Sequence, residues 1–194
     1  MEAKNFDHLL GTSGFSDALL KNHFSLYQGY VKNVQTIGEE MLALKHAGKT
    51  GMPSFAELRR RYGWEYNGVR LHEYYFGNLA KTAKAFPVDS PLAAKINECF
   101  GSYEEWEKDF RAVGAMRGIG WVVLYFDPAY ANLVNVWVNE HDVGHLAGAV
   151  PLLILDVFEH AYTLDYGIKK GDYIDAFFRA IDWGEVNRRI DIRK

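Results

Sequence analysis

The stretch Pro151-Leu-Leu-Ile-Leu-Asp156-Val-Phe-Glu-His160 decides more about this chain than any other. Its apolar half reads as a buried strand, and an Asp directly after such a run is costly unless it is paired or bound to a metal. In an extended strand the four-residue spacing would hold Asp156 and His160 about 13 Å apart. On a helical turn the same spacing brings their Cβ atoms to about 5–6 Å. A strand giving way to a helical turn at Asp156 would therefore set both groups on one ion. Alternatively, Asp156 caps the following helix and His160 simply packs.

Outward from this stretch, Gly120–Asp127 and Asn132–Asn139 are β-rich runs separated by Pro128 and Ala129-Tyr130, and they are expected to be antiparallel neighbours. Before them, Tyr103 to Met116 reads as a helix, with Ser102 as its cap and Glu104-Glu105 in the first turn, where acidic groups are favoured. After them, helical spacing returns from Tyr173 to Ile181. Pro87 and Pro91 bracket a linker. On the other side of it, Leu19-Leu20, His23-Phe24, Tyr27, Tyr30-Val31, Val34, Ile37, Met41-Leu42 and Leu44 mark a long amphipathic helix that Gly48 ends. Ser54 with Glu57 has capping-box spacing, so a second helix is expected from there to about Tyr62. Asn67-Gly68 then signals a turn, and Leu71, His72, Tyr75, Phe76 and Leu79 share another helical face. The first half thus reads as helical, the second as helix, strands and helix.

With 48% hydrophobic residues among 194, the chain can bury a sizeable core, which excludes disorder. Its one cysteine, Cys99, excludes an internal disulfide and a paired-thiolate zinc site, and fits a reducing, cytoplasmic setting. A formal charge of −3 lacks the footprint of a nucleic-acid binder, and Arg59-Arg60-Arg61 reads as a solvated helix face. No apolar run is long enough to span a membrane, and the start lacks an export signal, so a soluble protein is expected.

Seven histidines invite a weighing of each. His8 and His46 lie among polar residues and read as surface groups. His23 and His72 each fall on the apolar face of a helix among aromatics. With Asp156 and His160 they supply three imidazoles and one carboxylate, a set suited to iron, manganese or zinc. His141 and His145 form an HxxxH pair interrupted by Gly144, so a separate zinc site is a minor alternative to a hydrogen-bonding role for His141.

Asp156-Val-Phe-Glu-His160-Ala-Tyr162, Gly118-Ile-Gly-Trp121, the segment from Leu71 to Leu79, His23 with Tyr30-Val31, and the segment from Tyr173 to Trp183 together resemble the iron/manganese superoxide dismutases, in that family's order. The resemblance implies an α+β fold. Residues 1–87 would form an N-terminal helical hairpin domain, packed on a C-terminal α/β domain, 88–194, with a three-stranded antiparallel sheet. It also implies one ion per subunit, iron or alternatively manganese, held by His23, His72, Asp156 and His160, and disproportionation of superoxide to oxygen and hydrogen peroxide. Tyr30 would relay protons, Trp121 would form part of an aromatic wall, and His141 would take the place of the glutamine that commonly donates to the bound solvent. Glu159, with Tyr162, would lie in a homodimer interface, Glu159 reaching the partner's His160, and a tetramer is also open. Lys169 and Lys170 would steer the anionic substrate.

Three departures stand out. His23 and Tyr30 are seven residues apart where the family usually has eight, so either a helical bulge is absent here or one of the two is misassigned. A second histidine expected on that helix is replaced by Leu26 or Tyr27, and Thr163 stands at its usual tyrosine partner. Phe158 and Val123 replace tryptophans. A non-catalytic, partner-binding relative of the fold is therefore the alternative to an active dismutase. A hydrolytic zinc enzyme ranks behind both.

Overall fold

The computed structural model describes residues 1–191. The long amphipathic pattern forms α1, Asp17–His46, capped by the Ser16 side chain, which accepts from the Leu19 amide. It buries Leu19, Leu20, His23, Phe24, Tyr27, Val31 and Val34 on one side, largely against α2, Pro53–Gly77.

Helix α2 corrects two expectations. It runs unbroken through Asn67-Gly68, where a turn was expected. Asn and Gly each disfavour a helix by up to about 1 kcal/mol, a small cost against burying Gly68, Val69, Leu71, His72, Tyr75 and Phe76. Gly68 is moreover required by packing, because a Cβ there would lie 2.7 Å from the Tyr30 ring. Nor is Ser54 the cap: Met52 is the extended flanking residue, and Pro53 takes the first turn, where its missing N–H costs nothing.

Residues 87–90, bracketed by Pro87 and Pro91, are loop and turn as expected, and a helix absent from the sequence reading follows them. Pro91–Phe100 forms α3, capped by Ser90 on the Ala93 amide and stopped by Gly101 at φ 87°. Then come α4, Tyr103–Ala115, with Ser102 capping the Glu105 amide as expected, and three strands: β1, Gly120–Asp127; β2, Asn132–Asn139; and β3, Val150–Asp156. They form an antiparallel sheet in the order β2-β1-β3. Short α5, Thr163–Tyr166, leads to α6, Lys170–Ala180, and then to α7, Trp183–Asp191, a helix absent from the sequence reading. Its start is set by Asp182, whose carboxylate accepts from the Gly184 and Glu185 amides.

The architecture is therefore α+β, two long antiparallel helices followed by a three-stranded sheet with helices around it. One joint positions the site. The buried Asn78 side chain, just past α2, donates to the Tyr75 and Ile154 carbonyls and accepts from the Ile154 amide, locking α2 against β3 two residues before Asp156. No helix among the described residues is long and apolar enough to cross a membrane.

Candidate metal centre

His23 comes from α1, His72 from α2 and Asp156 from the last position of β3. Beyond Asp156 the chain turns at once into a 3-10 helix, Glu159–Ala161, that carries His160. The structure brings all four together, one donor atom from each lying within 4.8 Å of the others. Asp156 Oδ2 sits 3.2 Å from His23 Nε2, 3.2 Å from His160 Nε2 and 3.7 Å from His72 Nε2. Oδ1 is held separately, accepting from the Phe158 amide at 2.9 Å. The Tyr173 hydroxyl fixes the backbone by donating to the Asp156 carbonyl at 2.7 Å, and itself meets the Tyr75 hydroxyl.

The hydrogen bonds settle which nitrogen of His72 carries the proton. Its Nδ1 lies 2.6 Å from the Gly68 carbonyl, which can only accept, so Nδ1–H donates. Nε2 is left with a lone pair aimed into the cluster, and among the described residues it is the buried side-chain nitrogen or oxygen without a hydrogen-bond partner. A lone pair facing a carboxylate oxygen is unfavourable unless a cation lies between them. Three imidazoles and one carboxylate suit a first-row divalent ion, and the donor set fits one.

Protonation favours the same chemistry. Burial pushes His23 and His72 below the usual histidine range, keeping them neutral. Burial alone would raise Asp156, but the His160 and His23 imidazoles outweigh it and hold the carboxyl well below its usual range. Neutral imidazoles and an ionised carboxylate are the forms that bind metal.

Seven residues are two turns of helix, about 20° from in line, and α1 is regular from end to end, with no bulge. His23 and Tyr30 therefore both face inward, and the Tyr30 ring lies 5.2 Å from that of His72. Trp121 pairs with Asp156 across β1 and β3, and its ring lies 4.9 Å from His72. Its indole Nε1, which can only donate, lies 3.1 Å from His141 Nδ1. Neutral His141 must then carry its proton on Nε2, which donates to the Tyr30 hydroxyl oxygen at 2.9 Å. The chain of hydrogen bonds runs one way, from Trp121 through His141 to Tyr30, and leaves the Tyr30 proton free to donate onward. Burial raises Tyr30 well above the usual tyrosine range, so that proton is retained at neutral pH.

His145 donates from Nε2 to the His141 carbonyl at 2.9 Å and accepts from the Tyr125 hydroxyl at 2.7 Å. It pins the loop that carries His141, and the HxxxH pair does not converge as a chelate. Tyr27 donates to Glu73 and accepts from the Lys4 amide. Glu159 is exposed, and Tyr162 is buried with its ring stacked on Tyr173 at 5.3 Å. Lys169 is exposed; Lys170 donates to the Met116 carbonyl. Among the described residues neither lysine bonds to the four converging groups.

Sequence reasoning missed Trp64. Its ring lies 4.4 Å from His141 and 5.7 Å from Tyr30, its indole donates to Glu140, and the Arg61 guanidinium covers it at 4.0 Å. The signal was the spacing of Trp64, Gly68 and His72, four apart on one helix face. The turn expected at Asn67-Gly68 hid it. Arg61 keeps 45% of its side chain exposed, in line with a solvated helix face, and it also stacks on Trp64 and pairs with the buried Glu65.

Burial lowers His141 to about 4, with Asp156 partly opposing the shift. The unfolded chain takes up a proton near pH 6.5 that the folded chain refuses until about pH 4. Stability is therefore full above pH 6.5 and falls as the pH drops from there to about 4, by a few kcal/mol at most, at about 1.4 kcal/mol per unit. Denaturant unfolding of metal-free protein should show a shallower acid loss in His141→Gln than in the parent; equal slopes would contradict the buried, neutral imidazole.

A helical hairpin against an antiparallel sheet, with three imidazoles and one carboxylate converging between them, is the framework of a mononuclear metalloprotein. Residues 88–189 match the family model for the C-terminal domain of iron/manganese superoxide dismutases. The chain is 38% identical to a manganese superoxide dismutase of Haloarcula marismortui, covering 85% of this chain and 79% of that one. It is 35% identical to an iron superoxide dismutase of Aquifex aeolicus, over 95% of this chain and 89% of that one, and 36% identical to an iron form from Cupriavidus metallidurans, over 91% and 89%. The chain belongs to the iron/manganese superoxide dismutases.

Proposed function

We propose that this chain disproportionates superoxide, two anions and two protons giving oxygen and hydrogen peroxide, at an ion held by His23, His72, Asp156 and His160. The observation that carries the reading is the buried His72 Nε2 lone pair, aimed with two further imidazoles at one carboxylate oxygen. Held by these four residues, an iron or manganese ion would supply the one-electron redox chemistry that the disproportionation needs. Asp156 contributes the single anionic donor. Tyr30 Oη, held by His141 Nε2–H, keeps a proton at the site for the peroxide product. Trp121, Phe158 and Trp64 wall the centre and restrict water, with Phe158 5.0 Å from His141.

Iron is our assignment and manganese the alternative; relatives of both kinds match the chain. We place the protein in the cytoplasm as a homodimer, with a tetramer as the larger option. Glu159 is exposed, as are Leu164 and Ile168 a few residues later, at 57% and 99%, and apolar side chains left to solvent in this segment support an interface there. Lys169 and Lys170 follow it directly and remain our candidates for attracting the anion. The division at residues 87 and 88 also stands as our proposal.

Protein purified with iron or manganese is expected to accelerate superoxide decay, and His23→Ala is expected to lose metal and rate together. Stoichiometric iron or manganese without acceleration would favour the non-catalytic reading, and native zinc the hydrolytic one.

A further inference from the structure

A cavity of about 300 Å³, which none of the four converging donors lines, is formed by the N-terminal segment, α2, the start of β3 and α7. Its volume is at the lower end for small-molecule sites. Lys4, Arg70, Arg188 and Arg189 line it together with Glu73 and Glu185. Among the described lining residues four cations thus meet two carboxylates, an excess of positive charge on a chain whose formal net charge is −3. Each carboxylate is shared. Glu73 holds both Lys4 and Arg70, while Glu185 holds both Arg188 and Arg189.

The arrangement is built rather than incidental. Arg189 is buried, and it donates to the Leu152 and Tyr74 carbonyls as well as to Glu185. Two guanidiniums lie over the Tyr74 ring, Arg70 at 5.2 Å and Arg189 at 4.9 Å from its centre. These contacts hold the cationic wall without using all its donors. Arg70 bonds Glu73 through one terminal nitrogen, and Arg188 bonds Glu185 through Nε and one terminal nitrogen. A guanidinium carries five N–H donors in a planar fork, so both retain donors suited to a tetrahedral or planar oxyanion.

We propose that the cavity walled by Lys4, Arg70, Tyr74, Arg188 and Arg189 binds a small, multiply charged oxyanion, with two anionic groups answering the two uncompensated cations. A phosphate ester and a polycarboxylate share that chemistry, and the test separates them. Isothermal titration of metal-loaded protein with pyrophosphate and with citrate, at matched ionic strength, is expected to show saturable binding of at least one, and the tighter of the two assigns the class. Arg70→Gln with Arg188→Gln is expected to weaken that binding at least about tenfold. The single variant Arg188→Gln, on an exposed side chain, should weaken it in part and leave metal content unchanged, which guards against a folding defect. The proposal is overturned if neither anion binds saturably, or if the double variant, with parental metal content, binds as tightly as the parent.

Discussion

Asp156→Asn is expected to strip the centre of metal, reducing both bound iron or manganese and superoxide turnover to near background. The substitution preserves shape and removes the one negative charge among four donors. At the Oδ2 position, surrounded by three imidazole Nε2 atoms at 3.2, 3.2 and 3.7 Å, an amide NH2 would donate to the lone pairs that otherwise face the ion. The variant thus satisfies the empty site and weakens the filled one. Loss of a group that only supports a ligand costs about 10–100-fold in metal affinity, and loss of a charged ligand should exceed that. Elemental analysis with a superoxide assay checks it: full metal and parental rate in Asp156→Asn would remove the carboxylate from the mechanism.

Gly120→Ala should give the largest loss of stability. Gly120 opens β1 at φ 146°, and a Cβ there would stand 2.1 Å from the Val138 carbonyl oxygen, a backbone atom of the paired strand. No rotamer relieves that clash, so the strands must part or the backbone must change region, at a cost above roughly 3 kcal/mol. For a chain of this size such a loss lowers Tm by at least roughly 6 °C. The Gly120 carbonyl also accepts from the Val157 amide at 3.0 Å, next to Asp156, so metal retention should fall alongside. Gly38→Ala is the control, since nothing lies within 4 Å of its Cβ position and the helix gains about 1 kcal/mol. If thermal unfolding showed Gly120→Ala and Gly38→Ala equally stable, close packing at the start of β1 would not be what holds this corner.

Elements with strong periodicity or strong caps were legible from the residues alone. Helix α1, α4 with its Ser102 cap, and the two β-rich runs of β1 and β2 are cases where local preference and tertiary packing agree. Helix α2 is the opposite case. Asn67-Gly68 carries a genuine turn preference, overridden by the inward face on both sides of it and by a Tyr30 ring that leaves no room for a side chain at position 68. Helices α3 and α7 are short, and the signals that start them, Ser90 with Pro91 and Asp182, fit a linker equally well until the hydrogen bonds are seen.

The sequence by itself determined the helical first half, the strand-rich second half, and four candidate donors whose residue types suit one ion, because side-chain chemistry and hydrophobic period are local properties. Only the tertiary structure decided that α1 runs without a bulge, so that His23 and Tyr30 both face the centre, that Gly68 makes room for Tyr30, and that the proton chain runs from Trp121 through His141 to Tyr30. Those outcomes depend on which segments meet and in what register. A hydrogen bond acquires a direction only when a donor-only indole or an acceptor-only carbonyl is set against a particular ring nitrogen, and Tyr30 and His141, 111 positions apart in the chain, meet only through packing.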